Sequence, residues 1–176
     1  MKYLLYLLLL TTPSLVLSQA TEEKLLQSLP PSFTVAGPAG TTEIHQNGID
    51  HRAIVQIEDS YVQIQQSGEA NLLEATHQGA NGQLRIQQHG MANQYSGTVV
   101  GDNNRLDVIQ RGENNLVQQD LIGHDLRYRI TQEGQGHELI QREHDPLAPA
   151  YEVHQQGTGM QITIEQGFVG LPPVEP

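Results

Sequence analysis

Eight histidines, His45, His51, His77, His89, His124, His137, His144 and His154, are the side chains in this chain best suited to bind metal or move protons. They are scattered, and no H-E-x-x-H or other compact ligand spacing joins them. His51, His77 and His137 stand where neighbouring segments carry Asn or Gln, which predicts structural polar roles. Histidines charge at about pH 6, so assembly is expected to respond to pH there. Gly101-Asp102-Asn103-Asn104 has the composition of a calcium loop, but its carboxylate does not recur in the other turns, and it reads as a plain β-turn. No Ser-His-Asp order, phosphate-binding glycine loop or paired-carboxylate setting stands out. Glu69, Asp102 and Glu113 fall in expected turns, where exposure is the default. There is no Cys, which removes disulfides, thiolate metal sites and a thiol nucleophile. The expectation is a protein that is not an enzyme, with no catalytic, cofactor-binding or metal-binding residues.

Regular spacing belongs to the amides and glycines instead. Gln66, Gln88, Gln110 and Gln132 recur every 22 residues, and each precedes a glycine by two: Gly68, Gly90, Gly112 and Gly134. Gly79, Gly101 and Gly123 lie midway, so seven glycines stand at intervals of 11. Asn71, Asn93 and Asn115 follow the first set by three, with His137 at the fourth equivalent place. Gln46 and Gly48 extend the series two residues out of register, and Gln155 and Gly157 one residue out. Gln166 follows Gln155 by 11. An inward amide in a stacked array donates to one neighbouring copy and accepts from the other, so every buried amide is satisfied. The turn glycines are expected to supply positive φ, and the turn Asn residues to tolerate the left-handed conformation and to ladder.

The elements that must hold these residues follow from a period of two. Val62, Ile64 and Gln66 alternate with polar neighbours, as do Leu84, Ile86 and Gln88, Leu106, Val108 and Gln110, and Tyr128, Ile130 and Gln132. A second alternating set follows each turn, for example Asn115, Val117, Gln119 and Leu121. This marks strands with one buried face. A lone strand–turn–strand unit cannot bury its stripe, but stacked units can. The predicted fold class is all-β: a β-solenoid of about six stacked 22-residue repeats forming two parallel sheets, spanning residues 43–167. Both register shifts are placed in turns. In this register the outward row Gln63, Arg85, Asp107, Arg129, Glu152 alternates in sign from Arg85 onward, and Arg111 lies beside Glu133.

The flanks differ. Lys2, an apolar run from Tyr3 to Leu10 and Ser18-Gln19-Ala20 read as a secretory signal peptide over residues 1–20. Residues 21–42 read as a flexible leader and residues 168–176 as a Pro-rich tail. Aromatics are 5% of the chain and Trp is absent, too little for an ordinary globular core. The net charge is −11 and no basic run exceeds two residues, which argues against a nucleic-acid partner.

Ser60-x5-Gln66-x-Gly68-x2-Asn71 resembles the curlin repeat of bacterial curli fibres. The family repeat also has Ala two after the Asn and Gln eleven after the first Gln, places held here by Leu73 and His77. Gln88, Gly90 and Asn93, then Gln110, Gly112 and Asn115, match in part. The resemblance implies a secreted subunit or nucleator of an extracellular functional amyloid of a Gram-negative-type bacterium, serving biofilm matrix, adhesion and cell aggregation. Implied partners are copies of itself, other curli-type subunits, the outer-membrane secretion channel with its accessory factors, and matrix polysaccharide or host surface proteins. The irregular repeats and the segment Glu143-His144-Asp145-Pro146-Leu147-Ala148-Pro149 favour a minor, nucleating subunit over a major one. The alternative is a monomeric secreted β-solenoid adhesin that binds carbohydrate or protein.

Overall fold

The structure, a computed structural model, describes residues 5–9, 35–36, 42–56, 58, 60–145 and 148–167. The rest of the expected signal peptide, most of the leader and the Pro-rich tail lie outside the described residues. The described residues form strands β1 (Leu5–Leu9), β2 (Val35–Ala36), β3 (Thr42–Ile49), β4 (Arg52–Gln56), β5 (Ser60–Glu69), β6 (Leu72–Ala75) and β7 (Gly82–Met91). They continue with β8 (Gln94–Tyr95), β9 (Arg105–Glu113), β10 (Leu116–Leu121), β11 (Arg127–Gln135), β12 (Glu138–Glu143), β13 (Tyr151–Thr158) and β14 (Gln161–Gln166).

Odd-numbered strands make one seven-stranded sheet in chain order, and even-numbered strands make the other. From β3 to β14 each strand pairs in parallel with its equivalent one rung away, so the chain winds as a β-solenoid of six strand–turn–strand rungs. Two flanking strands were not expected. β1, inside the segment read as a signal peptide, lies antiparallel on β3, with Leu7 opposite Ile44. β2, inside the segment read as a flexible leader, pairs in parallel with Val55 and Gln56 of β4. The turn glycines expected as punctuation lie at strand ends: Gly68 is within β5 and Gly90 within β7.

The first turn of the solenoid takes 20 residues, the next three take 22 each and the last takes 23. Gln46 pairs with Gln66 and Arg52 with Leu72, so both sheets share the 20-residue step and the shortening lies between β4 and β5. Gln132 pairs with Gln155 and Glu138 with Gln161, so the extra residue of the last turn lies between β12 and β13.

The core is a set of apolar columns one rung apart. Ile44, Ile64, Ile86, Val108 and Ile130 form one, and Val62, Leu84, Leu106 and Tyr128 another, all buried. From the opposite sheet Ala53, Leu73, Tyr95, Val117 and Leu139 face them. Stacking at the ~4.8 Å strand spacing buries each stripe between its own copies. β8 is the shortest strand of the repeat, and its Tyr95 is the large member of its column. The Tyr95 hydroxyl lies where a Cβ on Gly97 would come within 2.8 Å, so only glycine fits beside it.

Candidate functional site: the amide ladders and the open rung

The inward glutamines form one continuous column. The Nε2 of each donates to the Oε1 of the next: Gln46 to Gln66 at 2.5 Å, Gln66 to Gln88 at 2.7 Å, Gln88 to Gln110 at 2.9 Å, Gln110 to Gln132 at 2.9 Å and Gln132 to Gln155 at 2.7 Å. The same nitrogens reach turn carbonyls, for example Gln88 to Asn93 O at 3.1 Å and Gln110 to Asn115 O at 3.0 Å. Every bond in the column points the same way, so it has a polarity. At its first end Gln46 Oε1 is buried with no donor among the described residues. At its last end Gln155 Nε2 reaches only the carbonyls of Glu138 (3.0 Å) and Met160 (2.9 Å). Gln166 does not join this column: it lies in β14 opposite Glu143.

A second column runs through the turns. Asn93 donates through its backbone N and its Nδ2 to Asn71 Oδ1, and Asn115 does the same to Asn93 Oδ1. Asn115 Oδ1 then accepts from the backbone N of His137 at 3.1 Å. His51 and His137 stand at the two ends of this column. Their Nε2 atoms face the carbonyls of Asn47 and Glu133, four residues back, as Asn71 Nδ2 faces that of Ser67. The expected left-handed role of these Asn residues is corrected. The left-handed residue is the one before each: Asp50, Ala70, Ala92 and Asn114 at φ near 55°, with Gly136 at 66°. The repeated Asn is therefore used for its amide, not for its tolerance of positive φ.

The two glycine sets also divide. Gly48, Gly68, Gly90, Gly112, Gly134 and Gly157 have φ between 113° and 139°. Gly79 and Gly101 do not have positive φ, yet a Cβ on either would collide with the carbonyl oxygen one rung on. Close backbone approach, not φ, requires glycine there. Gly123 is that next-rung neighbour of Gly101.

His77 faces the interior at the other corner. Ser60 Oγ donates to Gly79 O at 3.1 Å, so His77 Nδ1 (3.0 Å away) holds the proton and donates to Ser60. Its Nε2 is then a buried acceptor without a partner among the described residues, as is His51 Nδ1. Burial pulls the pKa of His77 below its ordinary value, against the opposing charge of Asp102. Burial likewise lowers that of His51, against the Asn47 hydrogen bond and Asp50. Asp102, in the segment read as a plain β-turn, accepts from Ala80 N at 2.8 Å, and its own N donates to His124 Nδ1 at 2.9 Å, so it links turns on adjacent rungs. Among the described residues, no three His, Cys, Asp or Glu are grouped to hold a metal ion.

A third polar chain was missed in the sequence. Tyr95 OH donates to Gln119 Oε1 (2.9 Å), Gln119 Nε2 to Gln141 Oε1 (3.0 Å), Gln141 Nε2 to Tyr151 OH (2.8 Å) and Tyr151 OH to Glu143 Oε2 (3.0 Å). Burial raises the pKa values of Tyr95, Tyr128 and Tyr151, with the charge of Glu143 adding at the latter two, so all three hydroxyls stay protonated. Gln119 and Gln141, 22 apart, were the available signal, but the chain needs both sheets to be seen.

The outward charges follow the expected register. Arg129 lies 3.5 Å from Asp107 and 3.0 Å from Glu152, Arg85 donates to Gln63 at 3.0 Å, and Arg111 meets Glu133 at 2.7 Å. Such exposed pairs contribute about 0.2–1 kcal/mol each and act mainly on register.

The final rung is open on one side. Among the described residues, β13 pairs only with β11 and β14 only with β12. Tyr151, Val153, Ile162 and Ile164 are only half-buried, whereas Tyr128, Ile130 and Leu139 one rung earlier are buried. These features define a parallel β-solenoid with internal amide ladders and an uncovered terminal rung. No protein-family model, curated protein or solved structure matches the chain.

Proposed function

We propose that this chain is a secreted, curlin-type fibre subunit that polymerises by stacking rung on rung. The observation that carries this reading is the pair of complementary ladder ends. Among the described residues, Gln46 Oε1 lacks a donor on the first rung and Gln155 Nε2 lacks a ladder acceptor on the last. Placed end to end, Gln155 of one copy donates to Gln46 of the next and continues the polarity of the column. The half-buried side chains of β13 and β14 then gain the cover that inner rungs have. Signal-peptide cleavage after Ala20 removes β1 from β3 and opens that edge, and docking displaces the two-residue β2.

In this reading the chain leaves the cell through an outer-membrane channel and joins extracellular fibres that serve adhesion and biofilm matrix. The irregular last turn and the charged faces suit a nucleating subunit better than the main one. The test is the chain from residue 21 onward, incubated with an amyloid dye and added at low ratio to a soluble curli-type major subunit. Dye-positive fibres or a shortened lag phase are expected. A chain that stays monomeric, dye-negative and unable to seed sinks the proposal. One observation favours the monomeric adhesin: β1 covers the β3 edge. A secreted chain that retains residues 5–9 and remains monodisperse at high concentration would select that reading.

A further inference from the structure

Arg105 and Arg127 break the charge pattern of the sheet. They are in-register neighbours on β9 and β11, both exposed, whereas Arg85, Asp107, Arg129 and Glu152 beside them alternate in sign. Arg111, Arg129 and Arg142 each meet a carboxylate; neither Arg105 nor Arg127 does among the described residues. Two guanidiniums at strand spacing repel unless an anion lies between them. Both line an open depression of about 410 Å³. Its wall includes Arg129, Asp107, Glu152 and Tyr151, so three guanidiniums face two carboxylates. Within the wall Asp107 faces Arg129 at 3.5 Å, while Glu152, whose side chain is 70% exposed, keeps its carboxylate open to solvent.

We infer that this depression binds a uronic-acid unit of an acidic polysaccharide, and the inference stands apart from the assembly reading. The sugar carboxylate lies in the fork made by Arg105 and Arg127, where charge-assisted, bidentate bonds are strongest. A ring hydroxyl donates to the exposed Glu152 carboxylate, and the Tyr151 ring lies against the sugar's C–H face. A nucleic acid fits less well. Its phosphodiester has no donor for the Glu152 carboxylate, and its dense charge meets a chain of net charge −11.

The test is calorimetric titration of the soluble chain with a uronic-acid trisaccharide, with the neutral trisaccharide of the same linkage, and with a short single-stranded oligonucleotide. Binding of the uronate alone is expected. Combined Arg105→Gln and Arg127→Gln should lower affinity by about tenfold or more, since both charged forks on the carboxylate are lost. Arg52→Gln, at another exposed arginine with no carboxylate partner among the described residues, should leave it unchanged. Combined Arg105→Lys and Arg127→Lys keeps the charge and the fold but loses the forks, so affinity should fall there too. Unchanged uronate binding in either double variant, equal loss in Arg52→Gln, or equally tight binding of the neutral sugar or the oligonucleotide overturns the inference.

Discussion

At the residue scale, stability rests on buried glutamine oxygens that each accept from one ladder donor. Gln110→Leu leaves Gln132 Oε1 buried without its donor, the condition already present at Gln46. Urea denaturation is expected to show a loss of about 1–3 kcal/mol. Ala92 sits at φ 55°, where an L-side chain is penalised and glycine is not. Ala92→Gly should raise stability by up to ~1 kcal/mol, after the entropy that glycine costs in the unfolded chain. His51 and His77 set a pH dependence. Their pKa values lie below the ordinary 6.5 in the folded chain, so the unfolded chain binds more protons just below that pH. Stability is full above 6.5 and falls as pH drops towards the folded values, because each proton enters a buried ring with no acceptor for it. A urea midpoint lower at about pH 5 than at about pH 8, with a gap narrowed by His51→Asn, is the expected result.

At the element scale, the close approach of successive turns limits what the strands accept. A Cβ on Gly90 would collide with Gly112 O, and the residue sits at φ 118°. Gly136 has φ 66°, and a Cβ there would meet nothing within 4 Å. Gly90→Ala should therefore disrupt rung stacking, read as loss of the cooperative unfolding transition. Gly136→Ala should cost only about 1 kcal/mol. β8 shows the opposite limit, since Tyr95 fits its column only because Gly97 leaves room for the hydroxyl.

At the scale of the whole molecule, each inner rung is covered by its neighbours and the last rung, among the described residues, by one neighbour only. Nearest-neighbour stacking makes that rung the least protected part of the solenoid. Hydrogen exchange should be faster for amides of β13 and β14 than for those of β7 and β9, and should slow in any assembled fibre. Equal protection in the free chain would mean that the final rung is already covered.

Much of this architecture was legible in the sequence, for a local reason. Side-chain direction alternates along any strand, so Val62, Ile64 and Gln66 declare their inward face without reference to the rest of the fold. Recurrence of Gln and Gly at 22 residues then sets the register of each sheet, and with it the Arg111–Glu133 and Arg129–Glu152 pairs. Tertiary structure decided what depends on distance across the rung. It placed Gln166 opposite Glu143, moved the left-handed turn position from Asn71 and Asn93 to Ala70 and Ala92, and joined Tyr95, Gln119, Gln141, Tyr151 and Glu143 into one chain. It also formed the depression around the like-charged Arg105 and Arg127 and left Gln46 Oε1 without a donor. A period specifies which residues stack; how the two sheets and their turns meet depends on packing between segments remote in sequence.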